Sequence, residues 1–158
     1  MPQAQRAPMA APDHDRPLTA YGRRQAHEMG LQLAGREIDL AMVSSARRTQ
    51  QTFEELAVNC RVETMRVLYG CTVPTMRQRI SESLDDEVNT LLVIAHSPAI
   101  PQLAAQLSAD PTDSQGQPML CHYPPATLTE IAVDGPWREI SDEFATSTSL
   151  RGVWEPPM

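Results

Sequence analysis

The sequence contains no lysine. All 13 basic residues are arginines, and with 20 acidic residues the formal net charge is -7. This excess of acid argues against a general nucleic-acid binder. A high-GC coding bias is the simplest explanation for the missing lysines, although arginine is also the better side chain for forked recognition of phosphate.

Aromatic residues, cysteines and long apolar runs are also scarce. Aromatics make up 4% of the 158 residues, so a core must come from aliphatic side chains, and the length suits one domain. Three widely spaced cysteines, Cys60, Cys71 and Cys121, favour reduced thiols over a disulfide framework.

No apolar run reaches the roughly 20 residues that cross a bilayer, and the N-terminus lacks the apolar segment of a signal peptide. We therefore expect a cytoplasmic protein without a membrane segment.

Alternating helix and strand signals predict an α/β layered fold. A helix is predicted after Thr19 as its N-cap, a short buried strand over Leu40–Ser44, and a second helix directly after it. "TLLVIA", residues 90–95, is an apolar run without alternation, which is typical of a strand buried on both faces. Residues 1–17 are expected to be irregular and residues 137–158 form a tail of uncertain structure.

Two predicted strands end at residues that can hold a phosphate group. The first leads into Arg47 and Arg48, on the opening turn of a helix whose amides favour an anion. The second leads into His96, which can act as an acid, a base, a metal ligand or a donor to a phosphate oxygen. In such folds the working site lies at the carboxyl ends of the strands, so the coincidence favours one shared site. Taken singly, the arginines could equally be a solvated pair and His96 a satisfied strand-end histidine.

Metal binding would require further ligands near these histidines. The candidate sets are His122 with Cys121, and His14 with Asp13 and Asp15. Neither set has a recognised ligand spacing, and no C-x-x-C pair suggests structural zinc. We expect no metal site.

Four segments, in order from Asp13 to about Ile131, resemble the histidine phosphatase superfamily, which has the phosphoglycerate-mutase-like fold, and most closely its small SixA group of phosphohistidine phosphatases. They read "DHDRPLTAYGRRQA", "VSSARRTQQT", "LLVIAHSPAI" and "YPPATLTEIAVDG". The resemblance places Arg48 on the phosphate-binding arginine of the family and His96 on its second catalytic-site histidine, with Arg16 facing the same pocket. It implies a three-layer α/β/α fold with a mostly parallel central sheet, and one domain over residues 1–158.

The resemblance also implies an activity. A family member hydrolyses phosphohistidine or a small phosphomonoester through a phosphohistidine intermediate, while arginines and the second histidine hold the equatorial oxygens. No metal or organic cofactor is implied. The expected partner is a phosphorylated protein or small phosphorylated molecule, with no nucleic acid and no membrane, and the oligomeric state is left open.

One feature of the family is absent. Its members begin with an apolar strand that ends in Arg-His, and that histidine is the nucleophile. The 158 residues contain no Arg-His pair, and the role is not transferred to His14, which lies in a different segment. A truncated N-terminus is the favoured explanation, because a fold loses an interior strand less easily than one side chain. A pseudoenzyme that binds phosphate or a phosphoprotein without turnover is the alternative, and a chance set of motifs on an unrelated α/β protein is a third.

Overall fold

A computed structural model describes residues 12–108, 122–142 and 147–156 of the chain. Cys121 and most of the N-terminal segment predicted to be irregular lie outside these residues. So does the segment "DPTDSQGQP", residues 110–118, whose composition predicts a loop. The described helices are α1 (Ala20–Leu33), α2 (Arg47–Leu56), α3 (Val73–Ser83) and α4 (Ala99–Ser108). The strands are β1 (Leu40–Ser44), β2 (Arg61–Met65), β3 (Leu91–Ile94), β4 (Leu128–Asp134) and β5 (Ser147–Trp154). Short 3-10 helices occupy Asp13–Asp15, Arg66–Leu68 and Trp137–Glu139.

The predicted boundaries of the first helix and first strand are confirmed. The Thr19 hydroxyl accepts a hydrogen bond from the Gly22 amide at 3.0 Å, as an N-cap should. Gly35 follows the helix with a φ of 82°, a conformation that glycine adopts without a steric penalty. Strand β1 covers Leu40–Ser44 and is buried along its whole length.

The α/β class and its three layers are also confirmed. Strands β2, β1 and β3 form a parallel sheet in that order, with β1 in the centre. Successive side chains of a strand point to opposite faces. Leu40 and Met42 accordingly pack with residues of α3 and α4, whereas Ala41 and Val43 pack with residues of α1 and α2. The sheet therefore has helices on both faces.

Strands β4 and β5 form a second, antiparallel sheet. The alternating segment "ATLTEIAVDG", residues 126–135, predicts a strand, which is present as β4, and β5 lies in the segment predicted to be a tail of uncertain structure. Its alternation of exposed and half-buried residues is the pattern of a strand with one solvated face. The strand signal in the sequence is weak there because hydroxyl residues and a glycine occupy several of its positions.

A cleft of about 690 Å³ lies between β3 and β4, lined by residues of both strands. Within the described part of the chain, β3 pairs with β1 alone and β4 with β5 alone. Three of the four β3 residues are consequently half-buried, and only Leu92 is buried. The prediction that this strand is buried on both faces is therefore met only in part, because one of its edges borders the cleft.

None of the helices in the described ranges is both long and apolar enough to span a membrane.

Candidate active site

The carboxyl ends of β1 and β3 meet at one edge of the parallel sheet. Val43 of β1 is paired with Ile94 of β3, so the residues that follow the two strands emerge side by side. Ser44 is fully buried, and its Oγ lies 2.7 Å from Nε2 of His96. The Ser44 hydroxyl also accepts the Ala46 amide at 3.3 Å. The strand end, the turn and His96 are thus held together by one hydroxyl.

Arg48 projects from the first turn of α2 towards this point. Its Nη2 lies 3.4 Å from Nδ1 of His96, and the Arg48 side chain is 25% exposed. Helix α2 is fixed to the strand end by Thr49, whose hydroxyl donates to the Ser44 carbonyl at 2.8 Å. Arg47, one residue earlier, is exposed. The structure therefore brings Arg48 and His96 together, as the sequence predicts, and excludes the hypothesis of an unrelated motif set with the two residues far apart.

The hydrogen bonds around His96 define its tautomer. A guanidinium only donates, so Nδ1 of His96 accepts from Arg48, and Nε2–H donates to Ser44. The ring is neutral in this arrangement. Burial lowers the pKa of His96 below its ordinary value, and the neighbouring Arg48 charge lowers it further. An anion bound between the two side chains would offset the charge of Arg48 and favour the protonated ring, which donates from both nitrogens.

Asp13 faces Arg48 from the short 3-10 helix Asp13–Asp15. The Asp13 carbonyl accepts from Nη1 of Arg48 at 2.8 Å, and its carboxylate accepts from Nη2 at 3.2 Å. The carboxylate also accepts from the Tyr69 hydroxyl and pairs with Arg16 at 3.1 Å. The Tyr69 hydrogen bond, and then the Arg48 charge, lower the pKa of Asp13 despite an opposing effect of desolvation. The ionised Asp13 carboxylate therefore accepts hydrogen bonds from donors that would also suit a phosphate oxygen.

The predicted Arg16 lies next to this group but one step further out. Its contact is with Asp13 and not with Arg48 or His96, and its side chain is 60% exposed. Arg16 therefore lies at the mouth of the site, where it pairs with the Asp13 carboxylate.

His14 lies at the same mouth. Its Nε2 is 2.7 Å from the Ser45 hydroxyl, and its ring centroid is 4.9 Å from that of Tyr69. The Tyr69 ring is in turn 5.4 Å from the His96 ring. The sequence offers His14 only as a candidate metal ligand and assigns it no role in phosphate binding.

Four further side chains of the site were not predicted, namely Asp13, Ser44, Ser45 and Tyr69. The two serines were recognisable only as hydroxyls at a strand end. Tyr69 is separated from Asp13 by 56 positions, and no local pattern in the sequence joins them.

The fold and this arrangement define an α/β protein with a site for an anion at the carboxyl ends of its parallel strands, and comparisons with known proteins specify the family. Residues 3–69 match the model of the histidine phosphatase superfamily, branch 1. An uncharacterized protein of Mycobacterium tuberculosis is 30% identical over 132 residues, which cover 81% of this chain and 83% of that protein. An uncharacterized protein of Mycobacterium leprae is 28% identical over 136 residues, covering 84% of each.

Two solved structures share the fold. A protein from Nakamurella multipartitia, assigned as phosphohistidine phosphatase SixA, has a TM-score of 0.85 and 28% identity, over 94% of this chain and 90% of the other. The protein histidine phosphatase SixA complexed with tungstate has a TM-score of 0.72 and 23% identity, over 93% and 88%. The chain belongs to the histidine phosphatase superfamily and is SixA-like. The predicted resemblance and the phosphoglycerate-mutase-like fold are thereby confirmed.

Proposed function

We propose that the protein is SixA-like, with a pocket that binds the phosphoryl group of phosphohistidine or of a small phosphomonoester, and that hydrolysis of this group by the family mechanism needs a nucleophile that the 158 residues lack. The observation that carries this proposal is the contact between Arg48 and His96, 3.4 Å apart at the ends of two adjacent parallel strands. A forked cation and an imidazole beside the N-terminus of α2 form a donor set for a tetrahedral dianion. The partner is a phosphorylated protein or small phosphorylated molecule, and the proposed location is the cytoplasm.

The residues of the pocket have separate tasks. Arg48 holds two phosphoryl oxygens and neutralises their charge, and it does so more strongly in a half-buried site than in water. His96 donates to a third oxygen once the bound anion favours its protonated form. A phosphohistidine substrate leaves as an imidazole, which makes less demand on a general acid than an alkoxide does. The ionised Asp13, with its lowered pKa, is poorly suited to donate a proton at neutral pH.

The 158 residues lack the nucleophile that the family mechanism requires. In the family it is the histidine of an Arg-His pair, and this sequence has none. We therefore expect these 158 residues to bind phosphate without hydrolysing phosphate esters through the family mechanism. The second candidate function, a phosphate- or phosphoprotein-binding pseudoenzyme, has the same pocket and the same missing group.

Calorimetry with tungstate and an assay of p-nitrophenyl phosphate hydrolysis together test the proposal. Saturable 1:1 binding of tungstate, with no hydrolysis above the buffer rate, is the expected result. Failure to bind any oxyanion would overturn the proposed pocket. Hydrolysis that disappears in His96→Ala would show instead that the chain carries its own nucleophile.

Replacing Asp13 by Asn is expected to strengthen tungstate binding about fivefold, because it removes a negative charge from the Arg48 guanidinium. The Asp13 carbonyl would still hold Nη1 of Arg48, so the arginine keeps its position. Glu28→Gln is the matched control, since Glu28 is an exposed carboxylate on α1, and it should change the dissociation constant less than twofold. Weaker binding in Asp13→Asn would mean that the carboxylate supports Arg48 and does not compete with the ligand.

A further inference from the structure

The short 3-10 helix Asp13–Asp15 brings a second imidazole to the mouth of the pocket. The first imidazole, His96, is bonded through Nε2 to Ser44 at 2.7 Å. The second, His14, is bonded through Nε2 to Ser45 at the same distance. Two consecutive serines at the end of β1 therefore each contact one histidine, although the two histidines come from segments 82 positions apart.

The two imidazoles have opposite proton arrangements. Nδ1 of His14 lies 3.4 Å from a carboxylate oxygen of Asp15, which can only accept, so Nδ1 carries the proton. Nε2 of His14 then accepts from the Ser45 hydroxyl. His96 instead donates from Nε2 to Ser44, because its Nδ1 faces Arg48. Because Nδ1 of His14 donates to Asp15, its Nε2 is the nitrogen that faces Ser45 and the pocket.

The position of His14 relative to the phosphate-binding pair is fixed from several sides. The preceding residue, Asp13, is bonded to Arg48 through both its carbonyl and its carboxylate. The Tyr69 ring contacts both histidine rings, at centroid distances of 4.9 Å and 5.4 Å. His14 is also near enough to act on the pKa of His96, after the larger effects of burial and Arg48. The His14 side chain is 41% exposed, so a ligand can reach it.

We propose that His14 and Ser45, at the mouth of the pocket, bind the same oxyanion as Arg48 and His96. The ligand is a tetrahedral phosphate dianion or a phosphoryl group of that shape, and the inference rests on the proposed phosphate-binding function. When the anion enters, the Ser45 hydroxyl rotates to donate to one oxygen, and a protonated Nε2 of His14 donates to another. His14 is a phosphate-binding residue in this arrangement, and no covalent step is assigned to it.

The test is calorimetric titration of tungstate into the full chain and three variants. His14→Ala is expected to weaken binding about tenfold, the effect of losing one hydrogen bond to a charged group. Ser45→Ala should weaken it less, by a few-fold, because a neutral hydroxyl is the weaker donor. His27→Ala is the matched control, since His27 is an exposed histidine on α1, and it should leave the dissociation constant unchanged.

A direct contact is distinguished from a positioning effect by NMR of protein labelled with ¹⁵N in its histidine rings. Tungstate should shift the ring nitrogens of His14 and His96 with one common midpoint and leave those of His27 in place. Unchanged affinity in His14→Ala, or His14 ring nitrogens that do not move, overturns this inference while the proposed function stands. If the unmodified chain binds no tungstate, the proposed function itself fails.

Discussion

Replacing Arg48 by Ala is expected to weaken tungstate binding about 100-fold, whereas Arg47→Ala should leave it within twofold of the unmodified chain. Two charge-assisted hydrogen bonds are lost with Arg48, and each bond of this kind contributes about 1.5–3 kcal/mol, so a combined loss near 3 kcal/mol is a conservative value. Arg47 is the adjacent residue of the same type but is exposed. Calorimetry at one fixed ionic strength measures both variants.

The contrast between the two arginines separates a shaped site from a general charge effect. Each substitution removes one positive charge from the first turn of α2, so a ligand held only by long-range attraction would respond equally to both. Only Arg48 lies 3.4 Å from His96. Equal responses would therefore show that the pocket is assigned to the wrong arginine. An Arg48→Lys variant should recover part of the loss, because lysine restores the charge but not the fork.

Replacing Gly30 by Ala is expected to lower the free energy of unfolding by about 2–3 kcal/mol and the melting temperature by about 5–10 °C. Gly30 is buried on α1 where that helix crosses the end of α2. A Cβ atom at Gly30 would lie 2.5 Å from the carbonyl oxygen of Leu56, the last residue of α2. Backbone cannot rotate away from such a contact, so one of the two helices has to shift.

Gly22→Ala is the control in the same helix. A Cβ atom there would lie 3.2 Å from the end of the flexible Leu18 side chain, which can move, and alanine is the better helix former. Its stability should stay within about 1 kcal/mol of the unmodified chain. Thermal unfolding followed by circular dichroism measures both variants. A Gly30→Ala protein as stable as Gly22→Ala would contradict the close helix contact that holds the Arg48-bearing helix in place.

The local parts of the fold were predictable because their signals are local. Thr19 was identified as a cap from its place before a helical pattern, and the structure confirms its hydrogen bond to Gly22. The buried strand over Leu40–Ser44 was predicted from an apolar run, which the central position of β1 explains. Strand β5 was not predicted because only two of its four half-buried residues, Leu150 and Trp154, are large and apolar, so the sequence "STSLRGVW" shows little hydrophobic alternation.

The meeting of Arg48 and His96 in the pocket was predictable, because parallel strands bring their carboxyl ends together at one edge of the sheet. Arg48 and His96 each follow a strand, so their meeting could be inferred from the order of elements and from the family resemblance. The roles assigned to these two residues and to Arg16 remain predictions until binding is measured.

The sequence by itself determined the α/β alternation, the two strand ends and the family. The tertiary structure alone decided which side chains complete the pocket. Asp13 reaches Arg48 across 35 positions and Tyr69 across 56, and His14 reaches Ser45 across 31. A side-chain hydrogen bond forms only where packing holds both groups within about 3 Å. Packing of that kind depends on the whole fold, so no pattern within a single segment encodes it.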